Sequence, residues 1–228
     1  MKLYIVSTPI GNLKDITLRA LETLKEVDFI LCEDTRVSVN LLNHYGISKD
    51  LISLNAVNES QKIQSIITKL KSNKTGALIS DAGTPLISDP GARLVSACLE
   101  NEIEIIPIPG ASAILSALCM SGLPTDSFVF DGFLPQKKGR QTKLKQLALE
   151  ERTIILYESM YRIEKLLNEL NEFMPERYIV VCREITKKFE ETWRGFPKDI
   201  LHNFSDKVVK GEFVVVIAPL NWKSKNPI

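Results

Sequence analysis

The chain has 228 residues, a net charge of +1, 44% hydrophobic and 25% charged residues. These values are ordinary for a soluble globular protein with core enough for one large domain or two small ones, and they give no general pull toward a polyanion. No apolar run approaches the roughly 20 residues that span a bilayer, and Met1–Val6 gives way to Ser7-Thr8 too soon for a signal peptide. Cys32, Cys98, Cys119 and Cys182 are scattered without a C-x-x-C pair, and His44 and His202 stand alone, so no metal site is expected and a reducing cytoplasm is the natural location.

In chain order, Lys2–Ser7 reads as a strand ending in Thr8-Pro-Ile-Gly-Asn-Leu13. Asp15 or Thr17 can cap the next helix, whose Leu18, Leu21 and Leu24 form an apolar stripe. Phe29–Cys32 is a strand that stops abruptly at Glu33-Asp-Thr-Arg36. The helix Val37–Tyr45 then closes with Gly46 beyond its end. Leu51–Leu54 is a strand and Ser60–Lys71 a helix. The apolar run Gly76–Ile79 enters the stretch Ser80-Asp-Ala-Gly-Thr-Pro-Leu-Ile-Ser-Asp-Pro-Gly91, and helix Ala92–Leu99 leaves it. Asp89 and Pro90 suit the cap and first turn of that helix. Gly83 and Gly91 permit close backbone approach or positive φ, while Pro85 and Pro90 stiffen the path. Strand Ile103–Ile108, Pro109-Gly-Ala-Ser-Ala113 and helix Ile114–Met120 complete this half, with a boundary at Gly122.

Strands and helices alternate, so residues 1–122 are expected to form an α/β domain on a mostly parallel sheet. Thr8–Asn12, Glu33–Arg36, Ser80–Pro90 and Pro109–Ala113 each follow a strand, which places four polar loops along one sheet edge. Residues 123–228 read as a second α/β domain with a mixed sheet. Its strands are Ser127–Phe133, Thr153–Glu158, Tyr178–Arg183, Phe189–Arg194 and Glu212–Ala218, with helices up to Leu149 and over Arg162–Phe173. Lys137, Lys138, Arg140, Lys143 and Lys145 make a basic run that is either a solvated face or a phosphate contact.

G-x-G-x-x-G, the P-loop, G-x-S-x-G and H-E-x-x-H patterns are all absent. What remains is a neutral-to-acidic edge of backbone and small side chains with one acidic–basic couple, Asp34 and Arg36. It suits a cofactor with amino, carboxylate and ribose groups better than a triphosphate.

Thr8-Pro-Ile-Gly-Asn-Leu, Glu33-Asp-Thr-Arg, the segment Ser80–Gly91, Pro109-Gly-Ala-Ser-Ala, Gly132-Phe-Leu-Pro, Tyr157-Glu-Ser and Arg183-Glu-Ile-Thr-Lys together resemble the bacterial 16S ribosomal RNA (cytidine 2′-O)-methyltransferase family. That family is a branch of the tetrapyrrole methylase superfamily, and the resemblance covers about residues 2–218; many members continue into a further C-terminal segment. It implies two α/β domains with S-adenosyl-L-methionine in a cleft between them, a homodimer, and 16S ribosomal RNA or the small ribosomal subunit as partner. By the same resemblance Pro9, Ala82, Gly83, Thr84, Ile87, Ser112, Ala113, Glu158 and Ile185 fall at cofactor-binding positions. The superfamily's Gly-Asp-Pro is here Gly83-Thr84-Pro85, so Asp81 is the candidate replacement for the missing carboxylate.

Transfer to a ribose 2′-hydroxyl calls for in-line alignment and a carboxylate to take the proton. Glu33 and Asp34 are the candidates, with Arg36 for phosphate; the alternative is that Asp34 and Arg36 only fix a turn. Lys137, Lys138 and Arg140 are the candidate RNA contacts. A tetrapyrrole methyltransferase and a non-catalytic RNA-binding assembly factor are the competing readings.

Overall fold

The computed structural model describes residues 1–204 and 210–223. The expected strand at Glu212–Ala218 lies inside that range, while most of the expected tail, residues 224–228, lies outside the described residues. Residues Met1–Ser112 and Ala113–Ile228 make two compact units.

The first unit carries a five-stranded sheet in the order β3-β2-β4-β1-β5. Its strands are β1 (Lys2–Val6), β2 (Phe29–Cys32), β3 (Asp50–Ser53), β4 (Thr75–Leu78) and β5 (Glu104–Ile108), all paired in parallel. The helices α1 (Leu18–Glu26), α2 (Thr35–His44), α3 (Glu59–Lys71) and α4 (Ala92–Glu100) are the crossovers. The pleat explains why these strands read as nearly unbroken apolar runs. Leu3, Ile5, Phe29, Leu31 and Leu78 face one layer with Ile66, Leu70, Leu94 and Cys98. Val6, Ile30, Cys32, Ala77 and Ile108 face the other with Ala20, Leu24 and Leu42.

Two local expectations fail here. Leu18 is 78% exposed, and the buried stripe of α1 is Ala20, Thr23 and Leu24. Thr17 caps that helix as expected, accepting the Ala20 N–H, and of the expected stripe Leu24 is buried with Leu21 packed against the same core. Asp89 does not cap α4: Gly91, at φ 123°, holds the N-cap position. A Cβ on Gly91 would lie 2.7 Å from Leu78 Cδ2 and 3.0 Å from Leu86 Cδ2, so only glycine fits. The orphan N–H groups of Arg93 and Leu94 are satisfied by Glu59 Oε1 from α3, at 3.1 and 3.2 Å.

The second unit begins with α5 (Ala113–Ser121), which packs on the last strand of its sheet, so the compact unit starts ahead of Gly122. Its strands are β6 (Phe128–Phe133), β7 (Thr153–Ser159), β8 (Ile179–Arg183), β9 (Glu191–Gly195) and β10 (Glu212–Ile217), ordered β6-β7-β10-β8-β9. Of the neighbouring pairs only β6–β7 is parallel; the β7–β10, β10–β8 and β8–β9 pairs are antiparallel. Helices α6 (Arg140–Ala148), α7 (Ile163–Phe173) and α8 (Pro197–Phe204) cover one face around Leu144, Leu166, Leu170, Ile200 and Phe204. Helix α8 is absent from the elements expected above, although Pro197 at its first position and Asp199 in its first turn are helix-start signals. Among the described residues no helix is long and apolar enough to cross a membrane.

Candidate cofactor site

Because every strand of the first sheet points the same way, the loops after β1, β2, β4 and β5 share its carboxyl edge. They are tied to one another by short hydrogen bonds. Thr8 and Gly83 pair reciprocally: the Thr8 N–H donates to Gly83 O at 2.8 Å and the Gly83 N–H to Thr8 O at 3.1 Å. The Thr8 hydroxyl donates to Ser80 O at 3.1 Å. Ser7 Oγ and Thr84 Oγ1 lie 3.0 Å apart, and Thr84 Oγ1 donates to Ala111 O at 3.3 Å. Thr84, where the superfamily pattern has a carboxylate, therefore links three loops.

Gly83 has φ +85°, and a Cβ there would meet Ile10 Cγ2 at 3.2 Å. Leu86 and Ser88 also take positive φ, at 76° and 66°. Non-glycine residues hold such angles at a cost of about 1–3 kcal/mol each, which the surrounding structure must offset. Of the other positions singled out in these loops, Pro9 is buried, Asp81, Ala82 and Ile87 are exposed, and Ser112 and Ala113 are half-buried.

Four carboxylates stand at this edge in different states. Asp34 is the N-cap of α2, accepting the Arg36 N–H at 2.9 Å, and its carboxylate grips the Arg36 guanidinium at 2.6–3.1 Å. That pairing holds the Asp34 pKa down at about 2. Burial, then the neighbouring charges of Asp89, Asp81 and Asp34, raise the Glu33 pKa from its ordinary value. Burial does the same to Asp81 and Asp89. Asp81 Oδ1 accepts the Asp34 N–H at 3.1 Å, joining the β2 and β4 loops. Like charges in a half-buried site, with the Arg36 guanidinium already engaged, favour a ligand that brings positive charge. Among the described residues no group of His, Cys, Asp and Glu is arranged to hold a metal ion.

The second unit treats its candidate residues differently. Glu158 lies one residue before the end of β7 with a side chain 0% exposed, and its carboxylate faces Arg162 Nε at 2.8 Å and Arg140 Nη2 at 3.6 Å. The side chain is thus engaged within its own unit, and its Oε1 also accepts the Ser159 N–H at 2.9 Å. Arg140 is likewise turned inward. It is 3% exposed, donates through Nε to Glu169 at 2.8–2.9 Å and through Nη1 to Pro135 O at 3.1 Å. Lys143 pairs with Asp131 at 2.7 Å, whereas Lys137 and Lys138 are exposed. Ile185 is buried, in a loop whose Glu184 and Thr186 both take positive φ.

A two-sheet α/β chain with strained loops knitted along a parallel edge defines a class, and the comparisons identify it. Residues 2–200 match the family described as Tetrapyrrole (Corrin/Porphyrin) Methylases, and the chain belongs to that family. Within it, a Synechocystis protein named Ribosomal RNA small subunit methyltransferase I is 51% identical over 95% of this chain and 78% of its own length. A Thermotoga maritima protein of the same name is 46% identical over 95% of this chain and 98% of its own. The methyltransferase CobJ is similar in fold, with a TM-score of 0.72 at 17% identity over 99% of this chain and 97% of its own. A Thermus thermophilus uroporphyrin-III C-methyltransferase complexed with S-adenosylhomocysteine has a TM-score of 0.67 at 16% identity, over 96% of this chain and 98% of its own.

Proposed function

We propose that this chain transfers a methyl group from S-adenosylmethionine to a cytidine ribose 2′-hydroxyl of 16S ribosomal RNA, working as a cytoplasmic homodimer. Family membership and the names of its relatives support the reaction class and the RNA. The observation that carries the assignment of the site is the acidic, glycine-bearing edge of the first sheet. Its donor set fits the cofactor, whose sulfonium and α-amino groups are cationic and whose ribose needs hydrogen-bond partners. Pro9, the segment Asp81–Thr84, Ile87 and Ser112 are the positions assigned to holding it.

Bound there, S-adenosylmethionine supplies a methyl group already activated by its positive sulfur. The chain's work is alignment and proton management. Thr8 and Thr84 fix the loops by the bonds described above, and Gly83 keeps backbone close to the ligand without a side chain between. Glu33, with its raised pKa, is the proton acceptor for the 2′-hydroxyl, since Asp34 is too weak a base and is occupied by Arg36. The test is to supply labelled S-adenosylmethionine and small ribosomal subunits and map the label in the RNA. Label on a cytidine 2′-oxygen of 16S RNA is the expected result; label on a base, or none, overturns the assignment. Sedimentation of the pure protein at twice the chain mass checks the dimer.

A further inference from the structure

The second sheet has a carboxyl edge of its own, which carries more than Glu158 and Ile185, the positions that the family resemblance assigns to the cofactor. Strands β6 and β7 are parallel, and β8 runs with them because both β7 and β8 are antiparallel to β10. The loops after Phe133, Ser159 and Arg183 therefore emerge together. Three aromatic side chains stand out from this edge: Phe133 at 50%, Tyr161 at 85% and Phe189 at 63% exposure. Large rings left in water on one edge mark a contact surface.

The charge around these rings says what the surface fits. The Arg162 guanidinium lies 5.7 Å from the centre of the Phe133 ring, and Lys188 Nζ lies 5.6 Å from that of Phe189. Exposed Lys137 and Lys138 follow Phe133 in the next loop. Most carboxylates of this edge face a cation. Glu158 faces Arg140 and Arg162, Glu184 and Glu212 share Lys187 at 2.9 and 2.7 Å, and Glu191 holds Arg183 at 2.6 Å. Glu190 accepts the Thr186 N–H at 2.6 Å. Lys137 and Lys138 make no ion pair with a described residue, so they are left to meet a phosphate.

We infer that this edge is a platform for single-stranded RNA, on which unpaired bases stack on Tyr161, Phe133 and Phe189 while the lysines take the phosphates. Rings interleaved with cations suit a strand whose bases are free, because a duplex hides its base faces in its own stack. A second copy of this chain is a poorer occupant, since a two-fold contact would set the same cations against one another. The inference rests on the ribosomal RNA reading and adds where the strand lies and in what form it is taken.

The experiment is methyl transfer to small ribosomal subunits by the wild type, Tyr161→Ala/Phe189→Ala and Lys137→Ala/Lys138→Ala, with S-adenosylhomocysteine affinity measured alongside by calorimetry. With two stacking surfaces lost, the aromatic pair should raise the KM for subunits about tenfold or more. Its salt dependence should stay as in the wild type. The lysine pair should flatten that dependence, by about 0.7 in log–log slope for each phosphate no longer neutralised. Phe133→Leu, which keeps an apolar side chain beside Tyr157, should weaken the substrate without loss of fold. In all three variants S-adenosylhomocysteine affinity should hold. An unchanged KM in the aromatic variants, with the wild type active, overturns this inference alone. An inactive wild type overturns the ribosomal RNA reading and this inference with it. A fall in S-adenosylhomocysteine affinity assigns the rings to the cofactor, and a change in sedimentation of the aromatic pair assigns them to a contact between copies; either overturns the platform.

Discussion

Glu33 and Glu158 both stand at the carboxyl end of a buried strand within a short polar motif, yet they are opposite kinds of group. Glu158 is wholly buried and has Arg162 and Arg140 beside it, so its charge is neutralised inside the second unit. Glu33 is half-buried among Asp34, Asp81 and Asp89, and the one arginine nearby is held by Asp34. The first arrangement neutralises charge inside its unit, and the second gathers negative charge at a sheet edge, as the proposed proton acceptor and cationic cofactor require. A carboxylate after a strand is therefore not a functional signal by itself; the supply of cations decides.

The largest effect that could break this contrast is on turnover. Glu33→Gln should lower kcat by about 10²-fold or more, the usual contribution of a positioned base, with cofactor affinity little changed. Asp34→Asn should cost much less. Since the Glu33 pKa is raised, the wild-type rate should fall on acidification at a higher pH than an unperturbed glutamate would give. Equal losses in the two variants would erase the distinction between them.

Removing a cation from the other cluster should act on stability instead. Arg140→Ala leaves Glu158 and Glu169 short of a partner in the interior, and the second unit should lose about 3 kcal/mol by urea unfolding. The salt dependence of RNA binding should not move, because Arg140 is buried. A drop in that slope with stability intact would return Arg140 to the RNA surface.

The smallest effect concerns Asp89. Burial raises its pKa in the folded chain, so the native state holds this proton more tightly than the unfolded chain does. The resulting stability is present below the unfolded carboxylate range and is lost as pH rises through the folded value. Asp89→Asn should therefore raise the unfolding midpoint at neutral pH, and the gain should shrink as the medium is acidified below the carboxylate range. A gain that does not depend on pH would mean that charge is not its cause.

Local pattern made much of the fold legible. The apolar run Phe29–Cys32 is β2 to the residue, and Gly46 sits past α2 at φ 64°, as a helix stop requires. The four loops on one edge were also readable, because alternating strands and helices force parallel strands. The partners of side chains were not. Nothing near residue 91 announces that Glu59, more than thirty residues earlier, supplies the acceptor for α4. Arg140 reads as one more cation in a basic run, since Glu158 and Glu169 come from other elements. Sequence shows which charges exist, and only the packed structure shows which are already neutralised.

The most direct test of the first-sheet edge as the cofactor site is a calorimetric titration of S-adenosylhomocysteine into the wild type and Gly83→Val. A valine at φ +85° is strained, and its Cβ would press on Ile10 Cγ2 at 3.2 Å beside the Thr8 pairing. The account predicts binding heat for the wild type and none for the variant, with both folded alike by circular dichroism. Equal affinity in the two would contradict it and reduce the Ser80–Gly91 segment to a connector.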